Sequence, residues 1–438
     1  MRIQRHANPK SHFLLKVGRK WGAVCFAFRW ILWGALSGLL SMLEAQAQVV
    51  HLTDLLQQTI LTHPSVLQAR SQAQAAGFDL DAAKWGRYPS LSSEVRSDSN
   101  FAQSIVKLEQ PLWTGGRIDG RIQLGQVSLR SAEASVRDAE FNALTQVAGA
   151  FFDWLRLDDR HKSALQNVKE HERLFQLIDR RVKSDISPPA DATLAQARLQ
   201  QAESERLQIQ RQQENTLNTL VQWAGPLKGS PKAPRGITYM RAASGQTLAE
   251  LVVQMSPQRQ KLLAQIESAQ AKIRLAEAQG MPSVVVGYQH IVSGPLYNSP
   301  DRGRSYVGMQ FQPGAGLSTL SGVQSALASK DAAEQELLVF ERSLEFQAKS
   351  LYSDIDVLQA QLGPAQALME GTGELVDSYL RQYQIGRKSW LDVLNALREK
   401  TQALYNLADV RYSLLQSQIR LMLLTGELNG TNNAVIHE

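Results

Sequence analysis

The sequence predicts a mainly helical fold with a small β part, in which one helix–strand–strand–helix unit occurs twice. Three observations predict it. Pro64 and Pro89 bracket HPSVLQARSQAQAAGFDLDAAKWGRYPSL, and Pro257 and Pro282 bracket SPQRQKLLAQIESAQAKIRLAEAQGMPSV with the same internal spacing. RRVKSDISPPADATLAQAR and RQYQIGRKSWLDVLNALRE lie in register, so that Asp191 matches Asp392 about 200 residues on. The apolar residues are spread along extended helical patterns and do not gather into core-like blocks. A duplicated unit of this kind closes on itself as part of a ring.

The first helical segment starts near Leu52, has Pro64 near its first turns and runs to about Arg87, where Tyr88-Pro89 ends it. The period then changes to two: SSEVRSDS (92–99) and QSIVKLEQ (103–110) read as short strands joined by a polar turn around Asn100. SVVVGYQHIV (283–292) and SYVGMQFQ (305–312) repeat this, with the longer connection SGPLYNSPDRGR facing solvent. Val284, Val286 and Tyr288 share one face of the third strand, and Val307, Met309 and Phe311 one face of the fourth. QPLWTGGR and QPGAGLS lead out of the second and fourth strands into very long helices.

The helix from about Ile118 to Ser187 is on the order of 100 Å long at about 1.5 Å per residue, too long for a compact domain. From Leu144 a heptad seam runs through Val147, Phe151, Trp154, Leu165, Val168, Phe175 and Val182, with Asp158, His161 and Glu172 filling the remaining positions. Phe152, Leu155 and Leu174 mark a second stripe. Pro188-Pro189 force a reversal, and the return helix from Asp191 to about Trp223 covers only about half that length. The segment between Pro64 and Pro89 supplies the missing half, stacked end to end on it. In the second unit the descent runs from about Ser318 to Gly386 with a kink at Gly363-Pro364, and the return from Leu391 to Leu424.

The formal charge of +6 resembles a nucleic-acid signal until it is located. Residues 1–47 hold seven of the 47 basic residues and one of the 41 acidic ones, leaving 40 of each in the remainder. Phosphate binding therefore has no support there, and no nucleic-acid partner is expected. The basic segment, the apolar run from Trp30 to Leu43 and Ala45-Gln46-Ala47 read as a signal peptide cleaved after Ala47. An uncleaved anchor from Trp21 to Leu43, interrupted by Arg29, is the rival. Cys25 follows Val24, where a lipoprotein site wants a small residue, and is lost on cleavage; a cysteine-free mature chain suits an oxidising compartment. The expected boundaries are signal segment 1–47, first repeat 48–225, linker 226–246, second repeat 247–427 and a short flexible tail 428–438.

Catalytic and cofactor chemistry finds no pattern. His51 and His63 are far apart for one helical face, and His161 and His171 lack an accompanying acid motif. Pro313-Gly314-Ala315-Gly316 contains GxG without the rest of a phosphate loop. No cofactor and no metal are expected. Trp113, at a strand exit, suits a membrane interface or plain turn packing.

Four short strands cannot close a transmembrane barrel, since the smallest have about eight and an open edge in lipid leaves unsatisfied amides. Three chains supply twelve. The alternation of the strands also suits a hairpin packed on a soluble core, and the long flanking helices favour the trimer. The fold expected is a trimeric 12-stranded β-barrel continuous with a long α-helical barrel.

The duplicated plan, QPLWTGGR, SPPADATLAQARLQQAE, YQIGRKSWLDVLNALRE and the closing LLQSQIRLMLLTG resemble the TolC family of outer-membrane exit ducts over essentially all of the mature chain. The resemblance implies a homotrimer whose β-barrel crosses outer-membrane lipid and whose α-barrel crosses the periplasm. It also implies docking onto a periplasmic adaptor (membrane fusion protein) and an inner-membrane ABC transporter or proton-driven pump. FQPGAGLSTLSG and SWLDVLNA resemble members serving type I secretion of large adhesins; a multidrug or small-molecule efflux duct is the alternative. Outside this class stand a periplasmic adaptor, which carries one hairpin between β-rich flanks, and a soluble coiled-coil scaffold.

By the same resemblance Asp392 forms a periplasmic constriction ring, and Asn395 stands where the family often has a second acid. The family's links between hairpins correspond to Tyr383, Lys388 and Asp191. From spacing alone, Asp191 and Asp392 cap the return helices after Pro189 and Trp390.

Overall fold

The structure, a computed structural model, describes residues 49–98, 101–239, 244–294, 302–312, 314–428 and 436–437. The expected signal segment, the turn at Asn100 and most of the connection between the third and fourth strands lie outside them. Val50–Leu227 and Pro231–Glu438 group into one compact unit; of the other, only Val49 and Lys228–Ser230 are described.

The first repeat holds α1 (Leu52–Thr62), α2 (Pro64–Trp85), β1 (Ser90–Asp98), β2 (Phe101–Trp113), α3 (Arg117–Lys183) and α4 (Pro189–Ala224). The second holds α5 (Gly245–Met255), α6 (Pro257–Gln279), β3 (Ser283–Ser293), β4 (Gly303–Gln310), α7 (Ser318–Gln384) and α8 (Trp390–Thr425). Both long helices have 67 residues and both return helices 36, so the duplication extends to element length.

The expected single helix from Leu52 to Arg87 is two. Pro64 supplies no amide and disfavours helical geometry at His63, which is extended (φ −69°, ψ 130°). Pro64 then opens α2, where His63 Nδ1 accepts from the Ser65 amide at 3.3 Å. Ser256 and Pro257 do the same between α5 and α6, with Ser256 Oγ accepting from the Arg259 amide at 3.2 Å. α7 continues through Gly363-Pro364 without a break.

Packing follows from these lengths. In one half of the long helices the row is α2, α3, α6, α7; in the other it is α4, α3, α8, α7. The ring of His63 stacks on Trp223 at 4.7 Å, joining the start of α2 to the end of α4 as the end-to-end expectation requires. Between the halves α1 wedges Leu52, Leu55 and Leu56 against Phe151, Phe152 and Leu155 of α3 and Met422 of α8. α5 repeats the wedge, setting Leu248 and Val252 against Leu344, Leu351 and Ile355 of α7.

The heptad reading holds at Leu144, Val147 and Phe151, which are buried, and then slips by one residue. Beyond Trp154 the buried seam of α3 is Ala164, Asn167, His171, Leu174 and Ile178, while the expected Leu165 is 38% exposed. Two of the true seam residues are polar, so a search by hydrophobicity prefers the flanking stripe. The tail departs as well: Ile436–His437 pairs antiparallel with Gly236–Ile237, and Ile436 is buried in the main core.

The strands form one antiparallel sheet in the order β1-β2-β3-β4. β2 runs past Pro111 to Trp113 through a register shift, the place where a strand tolerates proline. β4 ends at Gln310, leaving Phe311 just beyond it.

Candidate functional site

Register sorts the sheet into two chemically distinct faces. Leu91, Leu108 and Tyr288 stand side by side, as do Val286 and Val307, and Val284 and Met309, on the face expected to be apolar. All seven are half-buried or exposed. One residue along, the pattern inverts: Ser92, Lys107, Gln289 and Arg304 are in register on the opposite face. There Glu94 pairs with Arg96 at 2.6 Å and with Lys107 at 3.4 Å. The Tyr306 hydroxyl donates to Glu109 two strands away, and Gly287 lies between them in register. A Cβ at Gly287 would come within 2.5 Å of the Tyr306 ring, so the crossing requires glycine. β1 and β4 leave both sheet edges open within the protomer.

Trp113 ends β2 opposite Val284 and is half exposed. Trp85 and Tyr88, to which the sequence assigned no interfacial role, are exposed beside the start of β1 with ring centroids 5.1 Å apart. An aromatic pair three apart before a strand-opening proline is the signal that would have found them.

The opposite ends of the long helices are the hairpin tips, and both turn in the same way. Asp185 (φ 55°) and Gly386 (φ 74°) are left-handed, with Ile186 N–H donating to Arg181 O and Arg387 N–H to Gln382 O, each at 2.9 Å. Asp392 lies in a capping box: its amide donates to Ser389 Oγ at 3.2 Å, and its carboxylate accepts from the Ser389 amide at 3.1 Å and hydroxyl at 2.9 Å. Those hydrogen bonds, the hydroxyl's first, and then the Lys388 charge hold its carboxyl below the usual range. Asp191 does not cap α4. Pro189 already begins the helix, so Asp191 falls in its first turn, where its amide donates to Pro188 O at 3.0 Å.

Of the expected links, Tyr383 packs against α4, the helix that carries Asp191, and Lys388 stands apart. Tyr383 is 6% exposed, packed with Leu174 and Ile178 of α3, Ala195 of α4 and Trp390 of α8. Burial pushes its phenol up; the Arg181 charge opposes this and the Asp191 charge adds to it. Among the described residues Lys388 makes no ion pair with Asp191; its ammonium lies 4.5 Å from the Tyr379 ring centroid. Asn395 is exposed and lines a cavity of about 280 Å³ between the two hairpins, shared with Asn167, His171, Arg198, Glu205 and Tyr405. Burial, then Arg198, push the His171 imidazole down, with Glu170 opposing.

On the tip-ward half of α3 the seam between the hairpins mixes buried polar groups with the apolar cluster of Leu174, Ile178, Tyr383, Trp390, Val393 and Leu394. Among the described residues the buried side-chain atoms without a hydrogen-bond partner are Arg160 Nε, His161 Nε2, Asn167 Oδ1, Arg181 Nε and Tyr405 Oη. All lie on that half of α3 or on its neighbour α8, whereas the core around α1 is apolar. An interface carrying unpaired polar groups gains less from closure than an apolar one. Among the described residues no group of three or more metal-ligating side chains occurs, and no helix is long and apolar enough to cross a membrane, which says nothing of a β-barrel.

A two-faced sheet with open edges, continuous with long helical hairpins, defines an outer-membrane channel, a transport protein and not an enzyme. The chain belongs to the outer membrane efflux protein family, that of TolC, whose model matches residues 55–226 and 248–427, one match per repeat. It is 21% identical over 339 residues to the cobalt-zinc-cadmium resistance protein CzcC of Cupriavidus metallidurans, covering 75% of this chain and 80% of that one. The alkaline protease secretion protein AprF of Pseudomonas aeruginosa is 22% identical over 337 residues, covering 74% and 70%. The outer membrane channel CmeC of Campylobacter jejuni shares the fold at a TM-score of 0.74 and 13% identity, covering 86% and 85%.

Proposed function

We propose that this channel is the exit duct of a tripartite type I secretion system: a passive homotrimer that carries protein, a large adhesin being the expected cargo, across the periplasm and outer membrane. The observation that carries the trimer is the pair of unlike open ends. The sheet begins at β1 and ends at β4, and the helical row begins at α2 and α4 and ends at α7. α7 leaves Leu320, Val339, Phe346 and Val357 exposed, and the opposite end leaves Phe78 and Leu207. Unlike ends joined head to tail close into a ring, and three four-stranded sheets pass the minimum of about eight strands.

The tips act as the gate. Three copies of Asp392, with Asn395 one turn on, form the constriction, and Asp191, Tyr383 and Lys388 restrain the hairpins until the periplasmic adaptor and an inner-membrane ABC transporter dock. The tip and exit motifs and the relative AprF support protein cargo. CzcC favours a second reading, an efflux channel for metal ions or other small solutes driven by a proton-coupled pump.

Expression in a Gram-negative cell lacking its own duct separates these readings. Restored export of a type I substrate supports secretion, and restored metal or drug resistance without export supports efflux. A stable monomer in mild detergent without pore activity in planar bilayers would remove both.

A further inference from the structure

The cation that meets Tyr383 comes from the opposite hairpin. Arg181, less than one turn from the end of α3, sets its guanidinium carbon 5.2 Å from the Tyr383 ring centroid. Its Nε is buried without a hydrogen-bond partner, so the ring face is what that part of the group meets. The ring is itself enclosed by α3, α4 and α8, which removes the water that would weaken the attraction. Lys388, on the same hairpin as Tyr383, lies instead over Tyr379 of its own hairpin.

We propose that Arg181 is a positioning residue of the gate: it clamps Tyr383 of the second hairpin onto the first, and opening requires this contact to break. Tyr383 is the inserted element, with Leu174 and Ile178 beneath it and Arg181 over its face. Separating the hairpins exposes the ring and returns the guanidinium to water, so a contact strengthened by desolvation weakens as the tip opens. The gate then has a restraint within each subunit, distinct from any Asp191–Lys388 link. Sequence register pairs Arg181 with Gln382 and Tyr383 with Val182, so the clamp is one feature that the repeats do not share. The inference rests on reading the tips as a gate.

Single-channel conductance in planar bilayers tests it. Arg181→Gln, which keeps length but loses charge, is expected to raise conductance or open probability by roughly twofold or more, as a lost cation–π contact implies. Arg181→Lys restores the closed state in large part, which a purely structural role for the side chain would not predict. In a Tyr383→Leu background Arg181→Gln adds nothing. Wild-type conductance in Arg181→Gln, with a rise in Asp191→Ala or Lys388→Ala, overturns the clamp and leaves the gate standing. No rise in any of the three removes the gate and the clamp together. An undiminished effect of Arg181→Gln in the Tyr383→Leu background overturns the pairing.

Discussion

Leu108→Arg places a charge on the apolar face of the sheet, between Leu91 and Tyr288 in register. Leu108 lies near the middle of β2, which runs from Phe101 to Trp113, so its expected depth is near the bilayer midplane. There an arginine facing lipid costs about 2–4 kcal/mol, falling to about 0–1 near the interfaces. In the proposed trimer three copies bring the total to about 6–12 kcal/mol, comparable with the net stability of a domain. The control is Gln289→Glu, which adds a charge at nearly the same depth on the opposite face, between Lys107 and Arg304. The assay is recovery of trimer in outer-membrane fractions and its urea midpoint after extraction. The expected result is severe loss for Leu108→Arg and near-normal assembly for Gln289→Glu. Equal behaviour of the two, or normal assembly of Leu108→Arg, would refute the assignment of faces.

Other expectations follow from single contacts. Gly287→Ala drives a Cβ into the Tyr306 ring and breaks its bond to Glu109, so the variant should show a lower urea midpoint than wild type. Gly386→Ala meets no neighbour, yet forces an L-residue into φ 74°; thermal denaturation should register a loss of roughly 1–2 kcal/mol per subunit. Ser389→Ala removes the hydroxyl from the capping box, so hydrogen exchange at Leu391–Leu394 should accelerate, with Ser389→Asn closer to wild type. The folded state holds His171 below its ordinary pKa and so binds fewer protons than the unfolded chain near that value. Its contribution is present above about pH 6.5 and is lost as the pH falls toward the folded pKa. Urea stability compared at neutral and mildly acid pH should show a smaller acid loss in His171→Gln.

The candidate site was legible unevenly, and each difference has a local cause. Asp185 and Gly386 occupy equivalent left-handed positions because the repeats align residue for residue there, and the alignment is visible in the letters. Asp392, expected to cap the return helix after Trp390, stands instead at the third helical position, where Ser389 is the cap and the two side chains bond reciprocally; in the matching place of the first repeat Pro188 stands for Ser389 and supplies no hydroxyl. Arg181 escaped notice: a basic residue in the last turn of a helix ordinarily suits the helix dipole and needs no other explanation. Asn167 and His171 escaped for the converse reason, that polar residues are not sought in a buried seam.

By itself the sequence determined what depends on neighbours a few positions away. The duplication, the alternating strands and the reversals at the tips all follow from backbone geometry and side-chain period, which are written along the chain. The tertiary structure alone decided which stripe of α3 is buried, that Tyr306 crosses Gly287 to reach Glu109, and that Arg181 and not Lys388 meets Tyr383. Those outcomes join residues up to about 200 positions apart. They are settled by which side chain loses its water to which partner, a competition that no local pattern encodes.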